Sequence, residues 1–145
     1  MDFLNRQWLL RERPPGALTE KHFQLVETPI SGSDLSSGQF LVKILTLGFD
    51  PAMRGWVKDR RSYLPPVKLG EPMRGSGVGQ VIKSNHAEFA VGTLVQGLTN
   101  WQEYLVADQS TGLSPVPNGV TPELALGVLG TTGLTAYFGL LDIGE

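Results

Sequence analysis

Phe40-Leu41-Val42-Lys43-Ile44-Leu45-Thr46-Leu47 is apolar at nearly every position, rich in β-branched residues, and broken immediately afterwards by Gly48-Phe49-Asp50-Pro51. Such a run reads as a strand with both faces covered, because a strand with one wet face alternates apolar and polar residues. Working outward, Arg6 to Arg13 reads as a first strand closed by Pro14-Pro15-Gly16. Phe23 to Glu27 reads as a second, ending at Thr28-Pro29, so the two form an N-terminal hairpin with a long loop. A polar connector from Ile30 to Gln39 leads into the central strand.

Beyond Leu47, Asp50 and Pro51 suit the start of a single helical turn over Pro51 to Trp56, and Arg54 stands four residues after Asp50, within reach of an ion pair. Residues 58–73 are charged and carry prolines, which predicts an ordered surface loop of the kind often used as a lid or binding edge. Arg74 to Ser84 is a glycine-rich strand, Thr93 to Leu98 and Trp101 to Val106 are two more joined by a turn near Asn100, and Leu113 to Pro117 reads as an edge strand. Thr121-Pro122-Glu123 supplies a hydroxyl cap, a proline and an acid for a short helix from Pro122 to about Leu129. In the last segment, Leu134, Tyr137, Phe138 and Leu141 fall at helical spacing. Thr131 or Thr132 is a candidate N-cap and Gly144 a candidate left-handed C-terminus. The expectation is a mainly β fold, a small barrel or sandwich, that hands over to a helix.

Composition narrows the function. The chain has 145 residues, enough for one core, and a formal charge of -2 without a basic block that favours nucleic acid or an anionic membrane. No run reaches the length of a membrane span, and Met1 to Gln7 lacks the layout of a signal peptide, which fits a cytoplasmic protein. With no cysteine, thiolate nucleophiles and thiolate metal sites are out; with only His22 and His86, each alone in a polar turn, no metal site and no Ser-His-Asp hydrolase is expected. Gly75-Ser76-Gly77-Val78-Gly79 misses the dinucleotide-loop spacing and lies within a strand pattern, so its glycines are read as structural. Gly127, Gly130 and Gly133 precede a helix and could serve either a helix-helix junction or a ligand's polar group. Asp50 with Arg54 reads as structural rather than catalytic. Trp56, Tyr63 and Trp101 could form an apolar substrate wall or cover the core.

Three stretches together resemble one family: Leu47 to Gly55; Gly92 to Val95 followed by Trp101 to Tyr104; and Leu126 to Leu141, with its Leu-Gly-Thr-Thr-Gly-Leu-Thr-Ala-Tyr. They are similar to the zinc-independent medium-chain dehydrogenase/reductases, in the branch of prostaglandin reductases, plant alkenal double-bond reductases and curcumin-reductase-like NADP-dependent oxidoreductases. The resemblance implies a GroES-like, partly open β-barrel over residues 1–129 as the substrate-side domain. Residues 130–145 would then be a linker helix leading to a Rossmann domain outside this sequence, so that the chain looks like a fragment.

The family's enzymes use NADPH to reduce the activated double bond of enones and enals, commonly as homodimers formed through the Rossmann half. The resemblance implies cofactor-edge positions at Thr131, Thr132 and Thr135 and a cleft edge at Asp50, Met53 and Arg54; Tyr63 and Trp101, as candidate apolar wall, complete the expected substrate cleft. It implies no metal, no membrane and no nucleic acid, and no catalytic residue within these 145; the tyrosine credited with positioning the substrate carbonyl belongs to the other half. The chain alone is expected to be inactive and to bind no NADPH. Many relatives carry Tyr where Ala52 stands and Met-Pro where Thr131-Thr132 stand. The alternative is a free-standing GroES-like binding or scaffold module without catalysis.

Overall fold

The computed structural model describes residues 2–144. Among the described residues seven strands make two antiparallel sheets, and the short helices lie after β3 and at the C-terminal end. Strands β1 (Asp2–Leu10) and β2 (Phe23–Ser31) pair as the expected hairpin in unbroken register from Asp2 opposite Ser31 to Leu10 opposite Phe23. β2 runs past the predicted stop at Thr28-Pro29. In a two-stranded ribbon Pro29 can turn its missing donor to the open side, so the proline does not end the strand.

The second sheet has the order β6-β3-β4-β5-β7, built from β3 (Phe40–Leu47), β4 (Ser76–Ser84), β5 (Leu94–Leu98), β6 (Tyr104–Ala107) and β7 (Ser114–Pro115). β7 lies at the edge, where a ladder tolerates proline. β3 is buried on both faces only over Phe40, Leu41 and Val42. Against β4 its register slips between Leu41 and Val42 and again between Ile44 and Thr46; at the second slip Leu45 is the extra residue and stands 48% exposed. A bulge interrupts the alternation that periodicity alone would continue. The glycines of β4 are structural, as predicted: a Cβ on Gly79 would meet the Lys43 carbonyl oxygen at 2.7 Å, and one on Gly77 would meet the Thr46 carbonyl oxygen at 2.9 Å. Asn100 holds the turn between β5 and β6 with φ of 59°, the left-handed region that Asn tolerates. The strand expected from Trp101 begins only at Tyr104, because Trp101 pairs instead with β1 and Met73: Trp8 N–H donates to its carbonyl at 3.0 Å and its own N–H to the Met73 carbonyl at 2.8 Å.

Three clusters form the core. Phe40, Val42, Val81, Phe89 and Val95 fill one side of the large sheet, and Val78, Val116 and Ala125 seat the C-terminal helices on it. Leu10, Met53, Trp56, Val57, Val67 and Met73 join the hairpin to the helical turn α1 (Ala52–Trp56) and to the 58–73 loop, which is anchored from below by Val67 and Met73. The sheets do not close into a barrel. The fold is mainly β, of the GroES-like type, and is partly open.

Several local expectations need correction. His22 does lie in a polar turn, the 3-10 turn Glu20–His22, but its side chain is 2% exposed, with Nδ1 accepting from the Thr19 N–H at 2.9 Å. Asp50 and Arg54 do not pair: Asp50 Oδ1 accepts from the Ala52 N–H at 2.7 Å, and Arg54 Nη2 donates to the Gly16 carbonyl. Capping the turn and tying down the Pro14-Pro15-Gly16 loop engage the two side chains in opposite directions. Helix α2 (Pro122–Leu126) stops at Gly127, short of Leu129, and helix α3 (Thr131–Phe138) has Gly130 rather than a threonine at its cap, with no side-chain cap bond. α3 widens into a π-turn over Gly139–Ile143, so a 3.6-residue period no longer fixes where Leu141 points, and Gly144 is not left-handed (φ -89°).

Candidate functional site

The ends of β3 and β4, the α1 turn and the α2–α3 junction surround a cleft of about 490 Å³. Its construction begins at Gly48, whose N–H donates to the Ser76 carbonyl at 2.9 Å and which lies beside Leu126 of α2. The opposite wall is set by Asp50 and Met53. Asp50 starts the α1 turn, and Met53, 7% exposed, is locked in the core below it. Tyr63 closes the outer end, its phenol oxygen accepting from Trp56 Nε1 at 3.1 Å. Across the gap, the α2–α3 junction folds tightly enough for the Gly133 N–H to reach the Gly127 carbonyl at 3.2 Å, and a Cβ on Gly133 would run into the Val128 backbone. These glycines therefore shape a helix-helix junction. The junction turns Thr131 and Thr132 onto the lip of the cleft, both exposed.

Of the predicted residues, the structure brings together Asp50, Met53, Tyr63, Thr131 and Thr132. Three others are set apart. Thr135 lies a turn further along α3, its hydroxyl donating to the Thr131 carbonyl at 2.7 Å. Trp101 lies behind the wall, its ring 5.4 Å from that of Phe49, which lines the cleft, and also 5.4 Å from Phe23. Arg54 faces a second, adjoining pocket of about 290 Å³. Phe49, 78% exposed, and Leu129 at the junction are cleft residues that the sequence did not single out, and Leu134, read there only as part of a helical stripe, joins them; large apolar residues within the two motifs were the available signal.

The carboxylates with displaced pKa values lie elsewhere and have structural causes. Glu103 sits below the ordinary carboxylate range because the Arg6 guanidinium donates to it at 2.5 Å, and that bond in turn raises Arg6. Asp108 is lowered by Ser110 and Thr111 in a capped 3-10 turn (Gln109–Thr111), and Glu123 by its own backbone N–H and the Thr121 hydroxyl at the start of α2. Among the described residues no three His, Asp or Glu side chains gather as a metal site. The cleft offers apolar walls, hydroxyls at one lip and a helix start without a side-chain cap, an arrangement suited to holding and orienting a flat, partly polar molecule.

The GroES-like β fold, with its cleft between the β3 end and a trailing helix, is that of the N-terminal part of a medium-chain dehydrogenase/reductase. Residues 6–116 match the family described as the N-terminal domain of oxidoreductase, and the chain belongs to that family, within the zinc-independent medium-chain dehydrogenase/reductases. It is 40% identical over 141 residues to the NADPH-dependent curcumin reductase of Escherichia coli, covering 97% of this chain and 40% of the relative. To prostaglandin reductase 1 of Rattus norvegicus it is 35% identical over 142 residues, covering 95% of this chain and 40% of the relative. The crystal structure of CurA in complex with NADPH from Vibrio vulnificus superposes with a TM-score of 0.85 at 42% identity, over 94% of this chain and 40% of that one. The chain thus spans about two-fifths of the length of the relatives it matches.

Proposed function

We propose that this domain forms the substrate-side wall of an NADPH-dependent oxidoreductase that reduces the activated double bond of enones and enals. The observation that carries the reading is the cleft that sets Thr131 and Thr132 across from Asp50, Met53 and Tyr63. The family relation supports it, since the relatives include an NADPH-dependent curcumin reductase and a prostaglandin reductase.

The residues fit the edge of a nicotinamide. Thr131 and Thr132 are exposed at the lip, and α3 has no side-chain cap, so a carboxamide oxygen could accept from the Thr131 and Thr132 amides, the Gly133 N–H being held by the Gly127 carbonyl. When bound, NADPH supplies a hydride to the alkene carbon β to the carbonyl. This chain's residues hold and orient: the threonines border the ring, Phe49 and Met53 pack against an apolar substrate body, and the walls keep water from the reacting face. Residues 130–145 act as the linker to the nucleotide-binding half, with residues 1–129 as the substrate-side domain.

The test is a steady-state assay of the full reading frame's product with NADPH against a panel of enones, enals and quinones. Turnover to the saturated ketone or aldehyde is expected, with Thr132→Val raising the KM for NADPH several-fold, as loss of one hydrogen bond to a bound ligand does. Absence of NADPH oxidation across the panel would favour a non-catalytic binding module instead. The 145 residues alone carry no Gly-x-Gly-x-x-Gly turn after a strand, and their titration with NADPH is expected to show negligible affinity.

A further inference from the structure

The second pocket is unlike the first. It adjoins the cleft, sharing Ala52, Trp56 and Tyr63 with it, and its charged lining is wholly cationic: Arg54, Lys58 and Arg60, with Ser62 beside them. The formal charge of the protein is -2, so a carboxylate-free basic pocket runs against the overall balance. The nearest acid in sequence, Asp59, turns away toward Arg13, with Oδ2 3.9 Å from its Nε. Asp50 borders the main cleft and is engaged by the Ala52 N–H. Arg54 is tied by Nη2 to the Gly16 carbonyl, while its Nη1 is buried and has no acceptor among the described residues. Tyr63 contributes a donor: because its oxygen accepts from Trp56 Nε1, its own hydroxyl proton is free to point toward the pocket.

We infer that this pocket is an anion subsite, and that the preferred substrates carry a carboxylate or phosphate on a tail extending from the enone. The inference rests on the reductase reading for its substrate, and refines it. An apolar body lying against Met53 and Trp56 would pass Tyr63 into the basic pocket, whose volume of about 290 Å³ accommodates a small anionic group and a few carbons. Guanidinium and ammonium donors with a phenol are a fitting set for such oxyanions. Lys58-Asp59-Arg60-Arg61 was visible in the sequence, but only the fold shows Lys58 and Arg60 gathered with Arg54 of the cleft motif.

The experiment uses the full reading frame's product with NADPH and three matched aryl enones, whose tails end in a carboxylate, a phosphate monoester or the neutral methyl ester. At low ionic strength one or both anionic substrates are expected to show a kcat/KM roughly three- to ten-fold above the ester, carried by KM and shrinking with added salt. Which anion gains more decides between the two sources of charge. Lys58→Gln with Arg60→Gln should bring the ratio toward one, and Lys58→Arg with Arg60→Lys should restore it. Equal kcat/KM for the anionic and neutral substrates, or a ratio that survives the double Gln variant, would overturn the inference. If no enone is turned over, the reductase reading fails by itself. Calorimetric titration of the same protein with an arylbutyrate and its amide then tests the subsite: tighter carboxylate binding that is lost in the double variant supports it, and equal binding overturns it.

Discussion

Asn5 shows how much a single polar side chain can hold. It is 3% exposed, its Oδ1 accepts from the Glu103 and Tyr104 N–H groups at 3.1 and 2.9 Å, and its Nδ2 donates to Gln102 Oε1 at 3.1 Å. These bonds dock the hairpin onto β6. Asn5→Ala would leave the Tyr104 N–H without its partner, while the Glu103 N–H keeps its bond to the Arg6 carbonyl at 3.1 Å, and urea denaturation should show a loss of about 1–3 kcal/mol. Gly79→Ala should cost about 1–3 kcal/mol in the same measurement, because the new methyl meets the Lys43 carbonyl oxygen and the Val42 side chain in a ladder that cannot widen. Gly79 was legible in the sequence as a structural glycine. Asn5 was not, since its partners lie about 97 positions away and no local pattern reports them.

The Arg6–Glu103 pair gives a pH dependence with a definite sign. Glu103 titrates below its ordinary 4.5 in the folded state, so its contribution is present above the unfolded value and is lost as pH falls through the folded one. The gap in urea midpoint between the wild-type protein and Glu103→Gln should therefore be open at pH 7 and narrow toward pH 3. Both side chains are well exposed, so the gap should be small and shrink further with salt.

Among the elements, β3 and α3 show where periodicity succeeds and where it stops. The apolar run of β3 located the central strand, but the bulge at Leu45 is a property of its pairing with β4 and cannot be read from one strand alone. The start of α3 was placed to within one or two residues, whereas its cap and its π-turn depend on how tightly Gly127 to Gly133 fold. Leu134, Phe138 and Leu141 are 51, 49 and 62% exposed, a large apolar surface for one terminal element. In the 145-residue chain, light scattering should show a mass that rises with concentration, and Leu134→Glu with Phe138→Glu should return it to the monomer value. Amides of residues 131–143 should exchange orders of magnitude faster than those of β3 and β4, whose ladder runs through the buried core.

At the scale of the whole molecule, resemblance and geometry carry different parts of the account. The cleft-edge and helix-start motifs, read from sequence, lie about 80 residues apart, and the fold brings them to opposite sides of one space. Arg54 and Thr135 were drawn from the same motifs, and Trp101 was taken as an apolar wall, but all three lie outside that space, because neither motif membership nor residue type says which way a side chain faces. The direct test of the central claim follows the hydride. The full reading frame's product is incubated with NADPH deuterated at C4 on the transferred face and with 4-phenylbut-3-en-2-one, and the product is read by NMR. The expected product is the saturated ketone with deuterium on the carbon β to the carbonyl; deuterium on the carbonyl carbon of an allylic alcohol would overturn the assignment.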